Sequence, residues 1–500
     1  MNPVTLIIDY VPNSGQKTTI QHIGSSQFVS ETILISPERL DITFPKTRLL
    51  QGVSFNEGSV LNHICDTVDT DYILFLKSAH EVSIDSKALS GMMATAEKMR
   101  AGMVYCDFYD QNKEGKRLHP LNDYQPGSIR DDFDFGAMML FSTKALRAAI
   151  KKYRAIPPVR FAGLYDIRLK VSIDNFLYHI NEPLYSVIQD DQHFVGERHF
   201  AYVDPKNADV QKEMEAVFLD YLRKIGAYIP CERLKNTEDT KNAFPVAASV
   251  IIPVKNRKST IADAVKSALT QKTDFPFNII VVDNHSTDGT TPVLAGLAEK
   301  HPVVQHIIPA RTDLGIGGCW NEALYSPSCG RYAVQLDSDD LYSSPYTLQK
   351  IIDMLRQGNY AMVIGSYTIV DFNLEEIPPG LIDHREWTDE NGHNNALRIN
   401  GLGAPRAFDT NIIRSIGFLN VSYGEDYAAA LRICREYRIG RIFESLYLCR
   451  RWQGNTDALL SIGDANHNNA FKDKVRTDEI LARQMMMKGF EGSRGPGFKT

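Results

Sequence analysis

The sequence has no long apolar run and no excess of positive charge. It contains no stretch of about 18 consecutive apolar residues, the length expected of a membrane span. Its 55 Lys and Arg residues stand against 61 Asp and Glu residues, which gives a formal net charge of −6, and no basic tract offsets this balance. We therefore expect no transmembrane segment and no nucleic-acid partner, whereas peripheral membrane association and oligomerisation stay open.

Cysteine is scarce and irregularly spaced. The seven cysteines are odd in number and include no Cys-x-x-Cys pair, so the sequence indicates neither a disulfide framework nor a zinc site. The residues from Met1 to Thr5 lack the basic region and apolar core of a secretory signal, and Asp9 interrupts the first apolar residues. Together these absences predict a protein of the reducing cytoplasm.

Length and pattern predict more than one α/β domain. A chain of 500 residues is too long for a single hydrophobic core. A polar stretch at 235–242 precedes a β-branched run at 248–254, which marks a domain start. From there, apolar strands alternate with helices, the pattern of a mostly parallel sheet covered on both faces. Ligands of such sheets bind beyond the carboxyl ends of the strands.

Three carboxylates follow the predicted strand at 332–336. Asp337 and Asp339 are two residues apart, which places their side chains on the same side of an extended backbone. There the two carboxylates are able to hold one hard divalent cation, which in turn binds phosphate oxygens. The alternative is a solvated strand end or a helix cap, because Asp340 precedes Leu341.

Two further acidic segments fit a site at the strand ends. Asp283 ends the second predicted strand of this region, but the residues after it, 284–289, are rich in turn formers, so Asp283 is also a candidate turn residue. Glu425 and Asp426 open a predicted helix, where acids also stabilise the helix dipole. The glycine-rich stretch 311–318 leads into another helix, and backbone N–H groups there are able to approach a nucleotide or phosphate; the alternative is a plain loop and helix start.

These motifs, in this order, resemble the glycosyltransferase family 2 pattern on the GT-A fold. The resemblance rests on residues 249–256, 280–290 and 336–340, and it continues to 424–426. It implies a metal-dependent, inverting glycosyltransferase, of the hexosyl- or N-acetylhexosaminyl-transferase kind, with Mn²⁺ or Mg²⁺ as its cofactor. Such an enzyme moves a sugar from a nucleoside-diphosphate sugar, by family habit a UDP-sugar, to a glycan or other hydroxyl acceptor in polysaccharide or glycoconjugate synthesis.

The resemblance also assigns roles to individual residues. The divalent ion would be held by Asp337 and Asp339, with Asp339 as the direct ligand and Asp337 touching the ribose or binding through water. The nucleotide side would further be contacted by Pro253, Asn256, Asp283 and Asp313, with Asp283 recognising the base. Asp426 would be the general base that takes the acceptor proton, with Glu425 as the alternative base or as a residue that helps to bind the acceptor.

One departure from the family pattern concerns the segment after the last strand. Many relatives carry a His there that completes the metal shell or touches the diphosphate, whereas this chain has Trp452 and Gln453. The resemblance then leaves Arg450 or Arg451 to pair with the phosphates, since a guanidinium fork suits them. The alternative is that both are surface charges. We interpret Arg257 as a surface charge outside the site.

The first half of the chain resembles the second. Residues 72–80 match 332–340 at a constant offset of 260, and residues 182–185 match 444–447 at an offset of 262. The common order of these matches predicts a duplicated fold.

The duplicated segment differs in its chemistry. Lys77 and Ala79 stand where the second half has Asp337 and Asp339, so we expect no cation site in the first half. Asp166 remains near the expected base position, so the loss concerns the metal more clearly than the base. The first half is therefore expected to serve scaffolding, acceptor binding or dimerisation.

The predicted architecture is α/β, with two tandem GT-A-like (Rossmann-like, nucleotide-diphospho-sugar transferase) domains that have mostly parallel central sheets. Residues 1–230 form the degenerate, non-catalytic domain, residues 246–475 the catalytic domain, and residues 489–500 a disordered tail. One alternative is a nucleotidyltransferase, although residues 253–260 lack the glycine- and lysine-rich loop that binds a triphosphate. The other is a non-catalytic sugar-binding or assembly protein.

Overall fold

The chain folds into two compact α/β units. Unit 1 contains residues 1–199, 209–228 and 461–500, and unit 2 contains residues 200–208 and 229–460. The computed structural model describes residues 3–11, 15–38, 44–78, 80–85, 87–188, 208–237, 243–357, 359–452, 454–455 and 460–492. Over these ranges, no helix combines the length and the apolar character that crossing a bilayer requires.

Unit 1 is built on a nine-stranded sheet. Its strands are β1 (Val4–Asp9), β2 (Val29–Ser36), β3 (Thr47–Gln51), β4 (Tyr72–Leu76), β5 (Glu81–Ile84), β6 (Met103–Asn112), β7 (Gly115–His119), β8 (Met138–Ser142) and β9 (Leu177–Ile188). Its helices are α1 (Gln16–Gly24), α2 (Gly58–Thr67), α3 (Ala88–Met99), α4 (Thr143–Tyr153), α5 (Gly163–Asp174), α6 (Ala208–Lys224) and, after unit 2, α14 (Ile462–Gly492).

The strand order of this sheet is β3-β2-β1-β4-β8-β6-β9-β5, and β7 pairs with β6. Strands β1 to β4, β6 and β9 run in one direction, whereas β5, β7 and β8 run in the opposite direction. All residues of β4 and all but the last residue of β1 are buried. Burial on both faces explains why these strands are continuous apolar runs in the sequence.

Unit 2 also has a nine-stranded sheet. Its strands are β10 (Ala248–Val254), β11 (Phe277–Asp283), β12 (Val304–Ile307), β13 (Tyr332–Gln335), β14 (Leu341–Tyr342), β15 (Met362–Val370), β16 (Glu376–Ile382), β17 (Arg406–Asp409) and β18 (Ile439–Arg450). Its helices are α7 (Ile261–Leu269), α8 (Thr290–Lys300), α9 (Ile316–Tyr325), α10 (Thr347–Arg356), α11 (Gly392–Asn395), α12 (Thr410–Ile416) and α13 (Glu425–Cys434).

The two sheets have the same topology. The order in unit 2 is β12-β11-β10-β13-β17-β15-β18-β14, with β16 paired to β15. Each strand of unit 2 thus occupies the place of the strand that is nine numbers lower in unit 1. The predicted α/β class, with two tandem domains and mostly parallel sheets, is confirmed.

Equivalent hydrogen bonds recur in the two units. In unit 1, the Asn62 side chain donates to the Ile156 carbonyl and accepts from the Ile156 N–H. In unit 2, Asn321 makes the same two hydrogen bonds with Phe418. These pairs allow positions in the two units to be matched residue by residue.

A pair of equivalent tyrosines, one in each unit, extends this match to α13, the helix that carries the predicted base, and to α5. Tyr427 of α13 donates to a backbone carbonyl in the loop before β17, and Tyr165 of α5 donates to a carbonyl in the loop before β8. The residue before each tyrosine is Asp426 in unit 2 and Leu164 in unit 1. Unit 1 therefore has an apolar side chain at the position of the predicted base.

Asp166 is not an equivalent of that base. It follows Tyr165, is buried, and forms an ion pair with Lys170 one turn further along α5, at 2.6 Å. The first half therefore retains an acid near the base position, but this acid does not take the place of Asp426. Ala79, the second residue compared with the metal motif, lies outside the described residues.

The last helix of the chain belongs to unit 1. Asn122 and Gln125 donate to backbone carbonyls of α14, and Ser128 donates to Asp473 at 2.9 Å. The unit that contains the predicted catalytic residues therefore ends at residue 460 rather than at 475. The tail predicted from 489 begins inside α14, and its residues 493–500 lie outside the described part of the chain.

Candidate active site

The acidic residues that follow β13 lie close to one another at the end of this strand. The Asp337 carboxylate accepts two hydrogen bonds of 3.0 Å from the Gln335 side chain, and its N–H donates to the Tyr447 hydroxyl at 2.9 Å. Asp340 accepts from the Arg450 N–H at 2.8 Å. Burial raises the pKa of Asp337 and Asp340, and neighbouring carboxylate charges raise it further. A cation would relieve this repulsion.

Asp339 is surrounded by three nitrogen donors. Trp452 Nε1 and Asn455 Nδ2 each lie 3.4 Å from Asp339 Oδ2, and Arg257 Nε lies 3.6 Å from the same oxygen. The segment after β18 thus reaches Asp339, whereas Gln453 lies outside the described residues. The interpretation of Arg257 as a surface charge outside the site is wrong, because the loop after β10 brings it to Asp339.

A chain of polar contacts joins the metal motif to the predicted base. Gln335 donates to Asp337 and accepts from Arg406 Nη1 at 3.2 Å. Arg406 Nη2 lies 2.6 Å from Asp426 Oδ2. Sequence reasoning did not single out Gln335 or Arg406, since one is an ordinary strand residue and the other gains its meaning only when β17 pairs beside β13. The structure therefore brings Asp337 and Asp426 into one site.

Glu425 is a buried acid beside Asp426. It is only 8% exposed, and within the described residues its Oε2 has no hydrogen-bond partner. Burial and then the charge of Asp426 raise the pKa of Glu425 to about 8. This packing needs glycine at position 317, because a Cβ there would lie 3.0 Å from Glu425 Cβ and 1.9 Å from the Leu419 carbonyl oxygen. This raised pKa favours the protonated form of Glu425, which is able to donate a hydrogen bond.

Asp283, at the end of β11, is fully buried. One of its oxygens accepts from the Ser286 N–H at 2.9 Å, and the other accepts from the Thr291 hydroxyl at 2.6 Å. Burial alone would raise the pKa of Asp283, but these hydrogen bonds outweigh it and lower the pKa. Asp283 therefore fills the turn-forming role left open by the sequence. Recognition of a base would require a ring N–H to share or replace one of these bonds.

The other residues expected on the nucleotide side also lie at or after strand ends. Pro253 is the penultimate residue of β10. Asn256 has a φ of 54°, and its Oδ1 accepts from the Thr287 N–H at 2.8 Å, which ties the loops after β10 and β11 together. Asp313 is exposed and forms a two-pronged ion pair with Arg311, at 2.7 and 2.9 Å.

Arg450 is not a surface charge. It is only 2% exposed, its guanidinium lies 5.3 Å from the Phe372 ring, and its Nη1 lies 3.4 Å from Asp263. Within the described residues, its Nε and Nη2 have no hydrogen-bond partner. Arg451 is half-buried, and its N–H donates to the Val370 carbonyl. For Arg450, the surface-charge alternative is therefore excluded.

The donors present fit a hard cation such as Mg²⁺ or Mn²⁺. Asp337 and Asp339 offer carboxylate oxygens, the ligands that these ions prefer. Across the described parts of the chain, no three His, Cys, Asp or Glu side chains are arranged to hold a metal ion by themselves. An ion held by two carboxylates would take its remaining ligands from water and phosphate, as Mg²⁺ commonly does.

Residues 249–412 match the family model described as glycosyl transferase family 2. This segment includes the acids after β13 and ends before Glu425 and Asp426. Unit 2 therefore contains a glycosyltransferase domain of family 2, and the predicted family is confirmed for this part of the chain.

Curated relatives match over short segments. An uncharacterised glycosyltransferase of Nostoc sp. is 32% identical over 126 residues, which are 25% of this chain and 38% of the relative. An uncharacterised protein of Mycobacterium tuberculosis is 28% identical over 100 residues, which are 20% of this chain and 29% of the relative. The chain thus spans well under half the length of these relatives.

Solved structures with similarity to the chain include two complexes with nucleotide sugars. Staphylococcus aureus TarS (residues 1–349) with UDP-GlcNAc is 21% identical, with a TM-score of 0.37, 48% of this chain covered and 73% of that chain. The mannosyltransferase PcManGT of Pyrobaculum calidifontis with GDP-Man and Mn²⁺ is 15% identical, with a TM-score of 0.34, 59% of this chain covered and 87% of that chain.

Proposed function

We propose that unit 2 is a metal-dependent, inverting glycosyltransferase that moves a sugar from a nucleoside-diphosphate sugar to a hydroxyl acceptor. The family match supports the reaction class. The chain of contacts from Asp337 through Gln335 and Arg406 to Asp426 carries the finer proposal. It holds the donor-side acid and the candidate base in one site, as a single-displacement reaction requires.

On the donor side, Asp337 and Asp339 are proposed to hold Mn²⁺ or Mg²⁺. The ion would supply Lewis-acid stabilisation of the negative charge on the departing diphosphate. Arg257, beside Asp339, and the buried Nε and Nη2 groups of Arg450 offer further positive charge and N–H donors for phosphate oxygens. Arg451, which follows Arg450, is retained as a second candidate phosphate contact.

On the acceptor side, Asp426 is proposed as the general base. Arg406 holds one carboxylate oxygen, and the Tyr427 N–H donates to the other at 2.6 Å, so the side chain is oriented before substrate arrives. The acceptor oxygen attacks the anomeric carbon opposite the leaving diphosphate, which inverts this centre, and Asp426 takes the acceptor proton. Neutral Glu425 is placed to donate a hydrogen bond to a hydroxyl group of the acceptor or donor sugar.

The donor is proposed to be a UDP-sugar, with its base near Asp283 and Asn256, Pro253 beneath it, and Asp313 as a further contact. A hexosyl or N-acetylhexosaminyl group would pass to a glycan or other hydroxyl acceptor in polysaccharide or glycoconjugate synthesis. A cytoplasmic location is proposed with it, and the seven cysteines, all free thiols, are compatible with that compartment.

The proposal is tested by thermal-shift measurements on the full-length protein with UDP, GDP, ADP and their sugar derivatives, with and without Mn²⁺. A nucleoside diphosphate that binds the native state should raise the melting temperature by mass action. Asp339→Asn should abolish the Mn²⁺-dependent part of this rise. Asp353→Asn, which changes an exposed acid on α10, is the control and should leave the rise intact.

Turnover separates the reaction classes. With an active donor, Asp426→Asn should keep donor binding but lower nucleoside-diphosphate release by a factor on the order of 10²–10⁴. Full activity of Asp339→Asn would refute the metal assignment. Release of pyrophosphate from a nucleoside triphosphate, with no release of nucleoside diphosphate from any sugar nucleotide, would instead establish a nucleotidyltransferase.

A further inference from the structure

Unit 1 has a cavity where unit 2 has its candidate active site. The pairing of β4 with β8 has the same register as the pairing of β13 with β17. With the tyrosine match between α5 and α13, this register aligns the residues around the two sites. Lys77, Met139 and Leu164 take the positions of Asp337, Arg406 and Asp426. The cavity is lined by all three of these unit 1 residues.

The walls of this cavity are aromatic. Phe133, Phe135, Phe161 and Tyr165 line it, and the rings of Phe133 and Phe135 lie 4.6 Å apart. Met214 of α6 completes the apolar lining together with the residues that replace the base and its partner arginine. Asp426 and Arg406 of the unit 2 site are thus replaced by apolar side chains, whereas Asp337 is replaced by Lys77.

Arg168 fixes this wall in place. Its guanidinium stacks on the rings of Phe135 and Tyr165, at 5.1 and 4.9 Å from their centroids. Its two terminal nitrogens donate to the carbonyls of Ser128 and Arg130, each at 3.0 Å. Because Arg168 is buried and spans the loop to the helix, the aromatic side of the cavity is formed before any ligand binds.

The mouth of the cavity is polar. Asn56, Asp131 and Asp134 lie there with Lys77, and Asp134 and Lys77 are exposed to solvent. Aromatic and aliphatic side chains in the wall and amide and carboxylate groups at the mouth match the two kinds of surface on a pyranose ring, which has apolar C–H groups and hydroxyl groups. No carboxylate stands at the base position, so a bound sugar would not be activated.

We propose that this cavity binds one hexopyranose residue of a glycan, as a non-catalytic binding site within unit 1. Its volume, about 100 Å³, limits the occupant. A cavity of roughly 150 Å³ accommodates a benzene ring. The unit 1 cavity therefore takes one edge of a six-membered ring, with the remainder at the polar mouth, and it is too small for a nucleoside diphosphate.

Two methionines in the wall allow a direct test on the full-length protein. The ¹³C-methyl resonances of Met139 and Met214, assigned through Met→Leu variants, are followed during titration with methyl glycosides of glucose, galactose, mannose and N-acetylglucosamine. We expect both methyl signals to shift with at least one glycoside. The methyl signal of Met362, on β15 of unit 2, is the internal reference for effects outside unit 1.

Two variants decide whether such shifts arise from the cavity. Phe161→Ala removes a half-buried ring from the wall, and Asp131→Asn changes one acid at the mouth without changing its shape. Each should reduce the glycoside affinity at least tenfold, while Tyr423→Ala, the matched change in unit 2, should not. The absence of shifts with every glycoside, or shifts that both unit 1 variants leave unchanged, would overturn the proposal. Either outcome leaves the proposed reaction of unit 2 untouched.

Discussion

The Arg406 guanidinium and the Asp426 carboxylate lie 2.6 Å apart, and Arg406 also reaches Gln335, which holds Asp337. The ion pair therefore couples the orientation of the candidate base to the donor-side acid. In unit 1, Met139 and Leu164 stand at these two positions, so both partners of the ion pair are absent there.

The first prediction concerns Arg406 as a positioning residue. Arg406→Met removes a charge-assisted contact of about 1.5–3 kcal/mol and should lower kcat about 10- to 100-fold, with little change in the KM of the donor. Arg406→Lys should recover part of the loss. Steady-state kinetics measure kcat and KM for these variants. The control is Arg356→Met, which removes an exposed ion pair of unit 2. A rise in KM with unchanged kcat would contradict the positioning role.

The second prediction concerns Glu425 and pH. Its pKa is about 8 in the folded protein against 4.5 ordinarily, so between these values the folded state holds a proton that the unfolded state releases. The stability of unit 2 should therefore fall as pH rises from about 4.5 to about 8. Glu425→Gln should remove this dependence. The free energy of unfolding of the variant, relative to that of the unchanged protein, should therefore increase as the pH rises from about 4.5 to about 8. Denaturant unfolding at several pH values measures the difference, and a constant difference would count against the buried neutral acid.

The third prediction concerns His119 in unit 1. Burial lowers the pKa of His119, but the hydrogen bonds and charges of Asp110 and Asp134 outweigh this effect and raise the pKa from 6.5 to about 9. Its stabilisation of unit 1 is thus complete below about pH 6.5 and lost as pH rises through 9. In the His119→Asn variant, the free energy of unfolding of unit 1 should decrease less as the pH rises through 9. The exposed His63→Asn is the control and should leave this decrease unchanged.

The fourth prediction concerns the buried charges on α14. Asp473 lies 2.7 Å from Arg476 and 3.4 Å from Arg130, and all three are buried. Asp473→Ala leaves buried positive charge uncompensated and should destabilise unit 1 by about 3–5 kcal/mol. Asp478→Ala, an exposed acid on the same helix, should change the free energy of unfolding by less than about 0.5 kcal/mol. Equal effects of the two changes would show that the cluster does not stabilise unit 1.

The position of the acids could be predicted from local rules. Asp337 and Asp339 follow an apolar run, and an apolar run of that length in an alternating pattern predicts a strand with its ligands at the carboxyl end. The doubled fold was visible for the same reason, since buried strands keep their apolar residues even when the site chemistry is lost.

Other features depend on contacts that no local pattern records. Arg257 and Arg406 look like ordinary charged residues until β10 and β17 bring them to Asp339 and Asp426. Asp473 resembles a solvated helix acid in sequence, although it is fully buried. The packing of α14 in unit 1, after the chain has passed through unit 2, therefore could not be inferred from composition or periodicity.

This packing of α14 has a consequence for the order of folding during translation. The segment of unit 2 from 229 to 460 is continuous, but unit 1 is complete only when α14 has left the ribosome. We expect unit 2 to become protease-resistant in nascent chains that end soon after residue 460 has emerged, while unit 1 stays susceptible until α14 has emerged. Of the two units, unit 1 would thus mature second, although its first strand is made before any strand of unit 2.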